Sequence, residues 1–104
     1  MIRATTILVA AAAMLVFGMQ AGAADIAAGK AMATRCSACH GPAGIAVTPD
    51  APNLAGQNEA YLSAQLTAFH TGQRQNEMMS MMAKPLTDAQ IADLAAYYHS
   101  LPAK

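Results

Sequence analysis

Residues 36–40 read Cys36-Ser37-Ala38-Cys39-His40, and this CSACH stretch holds both cysteines of the 104-residue chain and one of its three histidines. Two thiols three positions apart with an imidazole directly after suit three kinds of chemistry: a dithiol switch, part of a metal site, or a covalent attachment point for a cofactor. Each implies a different fold around it, so the surrounding sequence has to choose.

A structural zinc ion takes four side-chain ligands as a rule. CSACH offers three, and adjacent Cys39 and His40 are awkward for tetrahedral closure, so His70 or His99 would have to complete the set. A thioredoxin-like dithiol sits between a strand and a helix, and no strand pattern precedes Cys36. In the remaining reading, C-x-x-C-H, two thiols add to the vinyl groups of a haem and the histidine ligates its iron. Near-helical backbone puts residues i and i+3 on one face, so both sulfurs can meet one porphyrin edge.

Composition favours that third reading. The opening MIRATTILVAAAAMLVFGMQAGAA has a basic Arg3, a short apolar run from Ile7 to Phe17 and the small-residue site Ala21-Gly22-Ala23. This is the pattern of an export signal, cut after Ala23 or Ala24; the run is short for a membrane span. Residues 1–24 are thus expected to be a signal peptide and residues 25–104 one mature domain, placed in a bacterial periplasm. Outside the leader Phe69 is the only Phe, and the chain has three Tyr and no Trp. So small a domain with so few large side chains is marginal on its apolar core alone. A disulfide closing a loop this short would constrain the unfolded chain little, which points to a bound prosthetic group. The six basic and six acidic residues balance and are scattered, so the charge footprint of a nucleic-acid binder is missing.

Three helical patterns follow one another. Asp25 is an N-cap for the first, which runs from Ile26 towards Cys36 with small Gly29 and Ala33 four apart. The second, from Asn58 to about Thr71, repeats Leu62, Leu66 and Phe69 at helical spacing and stops at Gly72. The third starts at Thr87, where Thr87 to Gln90 fit a capping box, carries Ile91, Leu94, Tyr98 and Leu101, and ends at Pro102. Between the first two lies GPAGIAVTPDAPNLAGQ, residues 41–57, a loop whose Ile45, Val47 and Leu54 need something to pack on. Before the third lies a second loop, GQRQNEMMSMMAKP, with four methionines. No strand pattern or repeat appears, and the fold class is all-α with long connections.

Both loops have a use in a haem protein. A ligating imidazole normally donates its other N–H to a carbonyl, and Pro52, with Asn53 and Leu54, lies twelve residues past His40 in a loop placed to return alongside it. For the second axial position, one of Met78, Met79, Met81 and Met82 is expected to bind iron; a soft thioether raises the reduction potential. His70, His99 and Lys84 are the other donors in range of choice, and methionines also serve as ordinary core fillers.

Taken together, CSACHG, APNLAGQ followed by a helix YLSAQLTAF, and MMSMMAKPLTDAQIADLAAYY resemble the class I c-type cytochromes, in particular the small soluble bacterial ones and single domains of the di-haem cytochromes c. The resemblance spans nearly all of the mature chain. It implies three main helices with long loops around one covalent haem c, the first and last helices crossing at Gly29 against Tyr97 or Tyr98. It also implies cofactor-binding roles for Cys36, Cys39 and His40, a Pro52 carbonyl behind His40, and Leu54 packed on the haem. Ser80, Met82, Ala83 and Leu86 match the family's segment S-x-M-A-x-x-L after the ligand, which makes Met79 the sixth ligand and His40 and Met79 the iron-binding pair. Met81 stands where a proline is common, so Met82 and Met78 remain the alternatives.

The function expected is periplasmic one-electron transfer on a low-spin His/Met haem, with no enzymatic activity of its own and no small-molecule substrate. Partners would be redox donors and acceptors docking transiently at the haem edge near Ala38, Gly41, Ala43 and Ile45. Two other readings stay open: a subunit of a larger dehydrogenase or oxidase, membrane-bound ones included, and a haem sensor or peroxidase whose methionine lets go.

Overall fold

The computed structural model describes residues 2–7 and 23–104. Most of the expected signal peptide therefore lies outside the described residues, and no described helix is long and apolar enough to cross a membrane.

Five helices are present among the described residues: α1 (Ile26–Ala33), α2 (Ser37–His40), α3 (Glu59–Thr71), α4 (Glu77–Ala83) and α5 (Asp88–Ser100). Their starts are set by local chemistry. The Asp25 carboxylate accepts from the Ala28 amide at 3.0 Å, the Asn58 side chain from Tyr61 at 2.9 Å, and Thr87 and Gln90 close a reciprocal capping box at 3.2 and 3.0 Å. Each satisfies amide donors that a first helical turn leaves unpaired. Gly72, at φ 83°, ends α3 in the left-handed conformation that costs glycine least.

Two expectations about helix extent are corrected. The first helix does not reach Cys36: it stops at Ala33, and the tighter bonds Arg35 N to Met32 O and Cys36 N to Ala33 O turn the chain before α2 begins. The methionine stretch is not all loop. Asn76 caps both Met78 and Met79 at 3.1 and 3.0 Å, and unbranched methionines then continue a helix at little entropic cost.

α1 and α5 cross, and the crossing is close because Gly29 has no side chain. A Cβ there would run into the Asp93 carbonyl and sit 2.9 Å from the Cβ of Tyr97. The same contact is tied at its edge by the Asp25 amide, which donates to the Asp93 carboxylate at 2.8 Å. Leu94, Ala95, Ile91 and Tyr98 of α5, with Leu62 and Phe69 of α3, form the core. Their burial supplies the main apolar driving force. Residues 41–57 keep neither helix nor strand; Leu54 packs against the core, Ile45 is half-buried, and Val47, expected to be packed, is exposed.

Candidate functional site: a covalent cofactor centre

α2 is one turn long and is made of the CSACH segment itself. Cys36 occupies its N-cap position, and the amides of Cys39 and His40 both bond back to the Cys36 carbonyl at 3.3 and 3.0 Å. Both thiols are free and half-buried. His40 is 6 % exposed, and its Nδ1–H donates to the Pro52 carbonyl oxygen at 2.9 Å. A carbonyl can only accept, so in the neutral ring the proton sits on Nδ1 and Nε2 keeps a lone pair. That is the state an imidazole needs to ligate a metal.

Cys36 opens onto an apolar cavity. Met32 and Arg35 line it from the α1 side, Leu66 from α3, Met79, Met82 and Ala83 from α4, and Leu86 and Leu94 from the approach to α5 and α5 itself. Two of the four methionines thus share a cavity with a cysteine of CSACH. The other two point away, Met78 being 52 % and Met81 61 % exposed. His40, Pro52 and Leu54 do not line this cavity, and neither do His70, His99 or Lys84.

The remaining histidines are engaged elsewhere. His70 donates from Nδ1 to the Ala83 carbonyl at 3.0 Å, and His99 to the Gln57 carbonyl at 2.7 Å. All three imidazoles therefore use Nδ1 on a backbone oxygen, but only His40 is buried.

Burial pushes the Cys36 thiol up from its ordinary range, against smaller opposing pulls from the Tyr98 hydroxyl and the Arg35 guanidinium. Burial likewise pushes Tyr98 up, with the neighbouring Cys36 adding to it. The Tyr98 hydroxyl is fully buried and makes no well-formed hydrogen bond, an expensive state for a polar group. Two thiols and a buried imidazole thus share one helical turn, and a hydroxyl without a partner lies beside Cys36. This donor set fits a haem: the two thiols would hold it as thioethers and His40 Nε2 would supply a nitrogen ligand. It fits a metal ion alone poorly, since no group of three or more metal-ligating His, Cys, Asp or Glu side chains occurs among the described residues.

Sequence reasoning passed over Met32 and Arg35 as site residues. Gly29, Met32, Ala33 and Cys36 recur at i, i+3, i+4 and i+7, and reading the CSACH cysteine as the end of that stripe would have found Met32.

Comparison with known proteins places this geometry. The family described as cytochrome c matches residues 26–102. Cytochrome c4 of Thiocapsa roseopersicina is 47 % identical over 89 residues, covering 82 % of this chain and 46 % of that protein. Cytochrome c-554(548) of Halomonas halodenitrificans is 44 % identical over 81 residues, covering 75 % of this chain and 98 % of that protein. A thiosulfate dehydrogenase electron acceptor of Thiomonas intermedia is 48 % identical over 83 residues, covering 78 % and 38 %. The solved cytochrome c4 of Acidithiobacillus ferrooxidans superposes with a TM-score of 0.69 at 41 % identity, covering 73 % of this chain and 49 % of that one. The chain thus spans about half the length of the cytochrome c4 relatives and nearly all of the shorter Halomonas protein. It belongs to the cytochrome c family, as a helical class I c-type cytochrome with one haem c covalently attached at the Cys36–His40 segment.

Proposed function

We propose that this cytochrome is a periplasmic single-electron carrier with His40 and Met79 as axial ligands, passing electrons between redox proteins and catalysing no reaction itself. The observation that carries the reading is the shared cavity of Cys36, Met79 and Met82. Met79 and Met82 line it together with a cysteine of the attachment segment, and the bond from His40 Nδ1 to Pro52 supports His40 as the other ligand.

When bound, the haem supplies a one-electron ferric/ferrous couple. The protein's residues set its character. Donation from His40 Nδ1 to Pro52 fixes the ring and raises its basicity. A soft methionine sulfur favours the ferrous state and so a higher potential. Met79 is preferred over Met82 because the Ser80–Leu86 segment matches the family pattern behind the ligand, and its amide is pinned by Asn76. With both axial positions filled by side chains no site is left open for substrate. Exposed Ala38, Ala43 and Val47 beside the attachment segment suit brief, low-area contact with partners. The leader-like residues 1–24 support export.

A second reading, a subunit of a larger oxidoreductase, is favoured by the name of the Thiomonas relative, a thiosulfate dehydrogenase electron acceptor. A redox titration of the purified holoprotein with absorption spectra tests the first. The ferric form should show the long-wavelength methionine charge-transfer band, lost in Met79→Leu and kept in Met82→Leu. Ready binding of carbon monoxide to the ferrous wild type would defeat the carrier reading, and purification only as part of a stable complex would favour the second.

A further inference from the structure

We propose that His70 is a positioning residue for the methionine arm: its hydrogen bond to the Ala83 carbonyl fixes how close α4, and Met79 with it, sits to the haem iron. It thereby sets how readily the methionine ligand lets go. The proposal rests on the reading of Met79 as that ligand.

The geometry singles His70 out. It stands in the last turn of α3, and Ala83 is the last residue of α4, fully buried and part of the cavity wall shared by Met79 and Met82. The bond spans 3.0 Å. Among the described residues it is the one side-chain hydrogen bond that reaches α4 from another helix. The other polar contacts of α4 are its own: Asn76 accepts from Met78 and Met79, and the Asn76 amide donates to the Ser80 hydroxyl at 3.1 Å. Those contacts shape the helix without anchoring it to anything. The segment ahead of it is held on α3 by Arg74, through Gln65 at 2.8 Å and the face of Phe69 at 4.6 Å, but that hold ends before α4 begins.

The Ala83 carbonyl also accepts from the Leu86 amide at 3.1 Å. Removing His70 therefore leaves no buried acceptor unpaired, and the usual penalty for that is avoided. What disappears is a distance constraint between α3 and α4. A thioether binds ferric iron weakly because it is a soft donor, so its release is sensitive to whether the helix that carries it can retreat. His99 serves as an internal contrast. It makes the same kind of bond, to Gln57, but neither partner lies on the cavity.

The test uses ferric holoprotein and follows imidazole binding by stopped flow at concentrations where methionine release limits the rate. His70→Ala should raise that rate about fivefold, the factor a single ordinary hydrogen bond supplies. His70→Gln, which keeps an N–H donor, should recover most of the wild-type rate, and His99→Ala should leave it unchanged. The ferrous spectrum should be the same in all four proteins. A His70→Ala protein that binds imidazole at the wild-type rate overturns the proposal, including when its thermal midpoint has fallen, since a merely structural residue would act that way. Met79→Leu separates the two layers: if it keeps the charge-transfer band, the ligand assignment fails and the proposal with it. If the band is lost but His70→Ala is silent, only the proposal fails.

Discussion

On the attachment side, the chain from Cys36 to Gly56 has one turn of helix and is otherwise irregular, yet it is tied down at almost every step. Val47 N bonds Cys39 O at 3.0 Å, and Leu54 N and Ala55 N both bond Gly44 O at 2.8 and 3.0 Å. The Asn53 side chain takes the Ala46 amide at 2.7 Å, and Pro52 takes His40 at 2.9 Å. On the methionine side, α4 is regular but short, and it carries four flexible thioethers, two of them facing water. The difference follows from the ligands. An imidazole is planar and ligates along one direction, so its ring has to be aimed and a second group placed behind it. A thioether on a three-bond tether adapts to where the partner lies. Rigidity is concentrated where direction matters, and on the other side a helix that delivers sulfur to the right depth is enough.

The sharpest way to break this contrast is to strain the α1/α5 crossing from which the attachment segment leads off. Gly29→Ala places a methyl group against the Asp93 carbonyl and Tyr97, where overpacking costs about 2–3 kcal/mol. For a domain of this size that lowers the thermal midpoint by roughly 10 °C or more, measured by circular dichroism on the holoprotein. A drop of only a degree or two would mean that the α1/α5 crossing is as adaptable as the arm.

Alkaline unfolding sharpens it next. Tyr98 is held above its ordinary value of 10.0 in the folded state, chiefly by burial, so above about pH 10 the unfolded chain gives up a proton that the folded chain keeps. Fewer protons on the unfolded state make stability fall as pH rises, by up to ~1.4 kcal/mol per pH unit from this one group. The contribution is intact below pH 10 and is lost on the way up through the folded-state value. Urea melts of wild type and Tyr98→Phe between pH 9 and 11 should diverge in that direction, and parallel curves would show that the hydroxyl is not held neutral.

The smallest effect belongs to the arm. Met78→Leu with Met81→Leu should change stability by no more than about 0.5 kcal/mol and leave the charge-transfer band in place, as expected for the two exposed thioethers. Loss of the band in this double variant would move the ligand to the outer face of α4.

The parts legible in the sequence are those with local causes. Asp25, Asn58 and the Thr87–Gln90 box announce helix starts because a cap and its partners lie within four residues, and Gly72 announces a stop. CSACH limits its chemistry to three kinds by spacing, and the leader and the shortage of large side chains choose among them. Less legible was α4. Met79, Met82, Ala83 and Leu86 recur at i, i+3, i+4 and i+7, but Met78 and Met81 blur that stripe into an almost unbroken apolar run, so the stretch read as loop although Asn76 followed by Glu77 is itself a helix-start signal. Nor was the break between Ala33 and Ser37 visible, since nothing in Thr34-Arg35-Cys36 forbids a continuous helix; the turn appears when α2 must direct His40 towards the Pro52 loop. The links from His70 to Ala83 and from His99 to Gln57 join residues 13 and 42 positions apart, and no local pattern encodes them.

The partial burial of Cys36 beside the Tyr98 hydroxyl and the apolar cavity wall bears on biosynthesis. A thiol in that position is screened from a tetrapyrrole many times its size, and its raised proton affinity leaves less of the nucleophilic thiolate. That burial favours attachment on a chain in which α5 has yet to close over α1. In such an order, attachment first and closure second, the finished fold would seal its own seam.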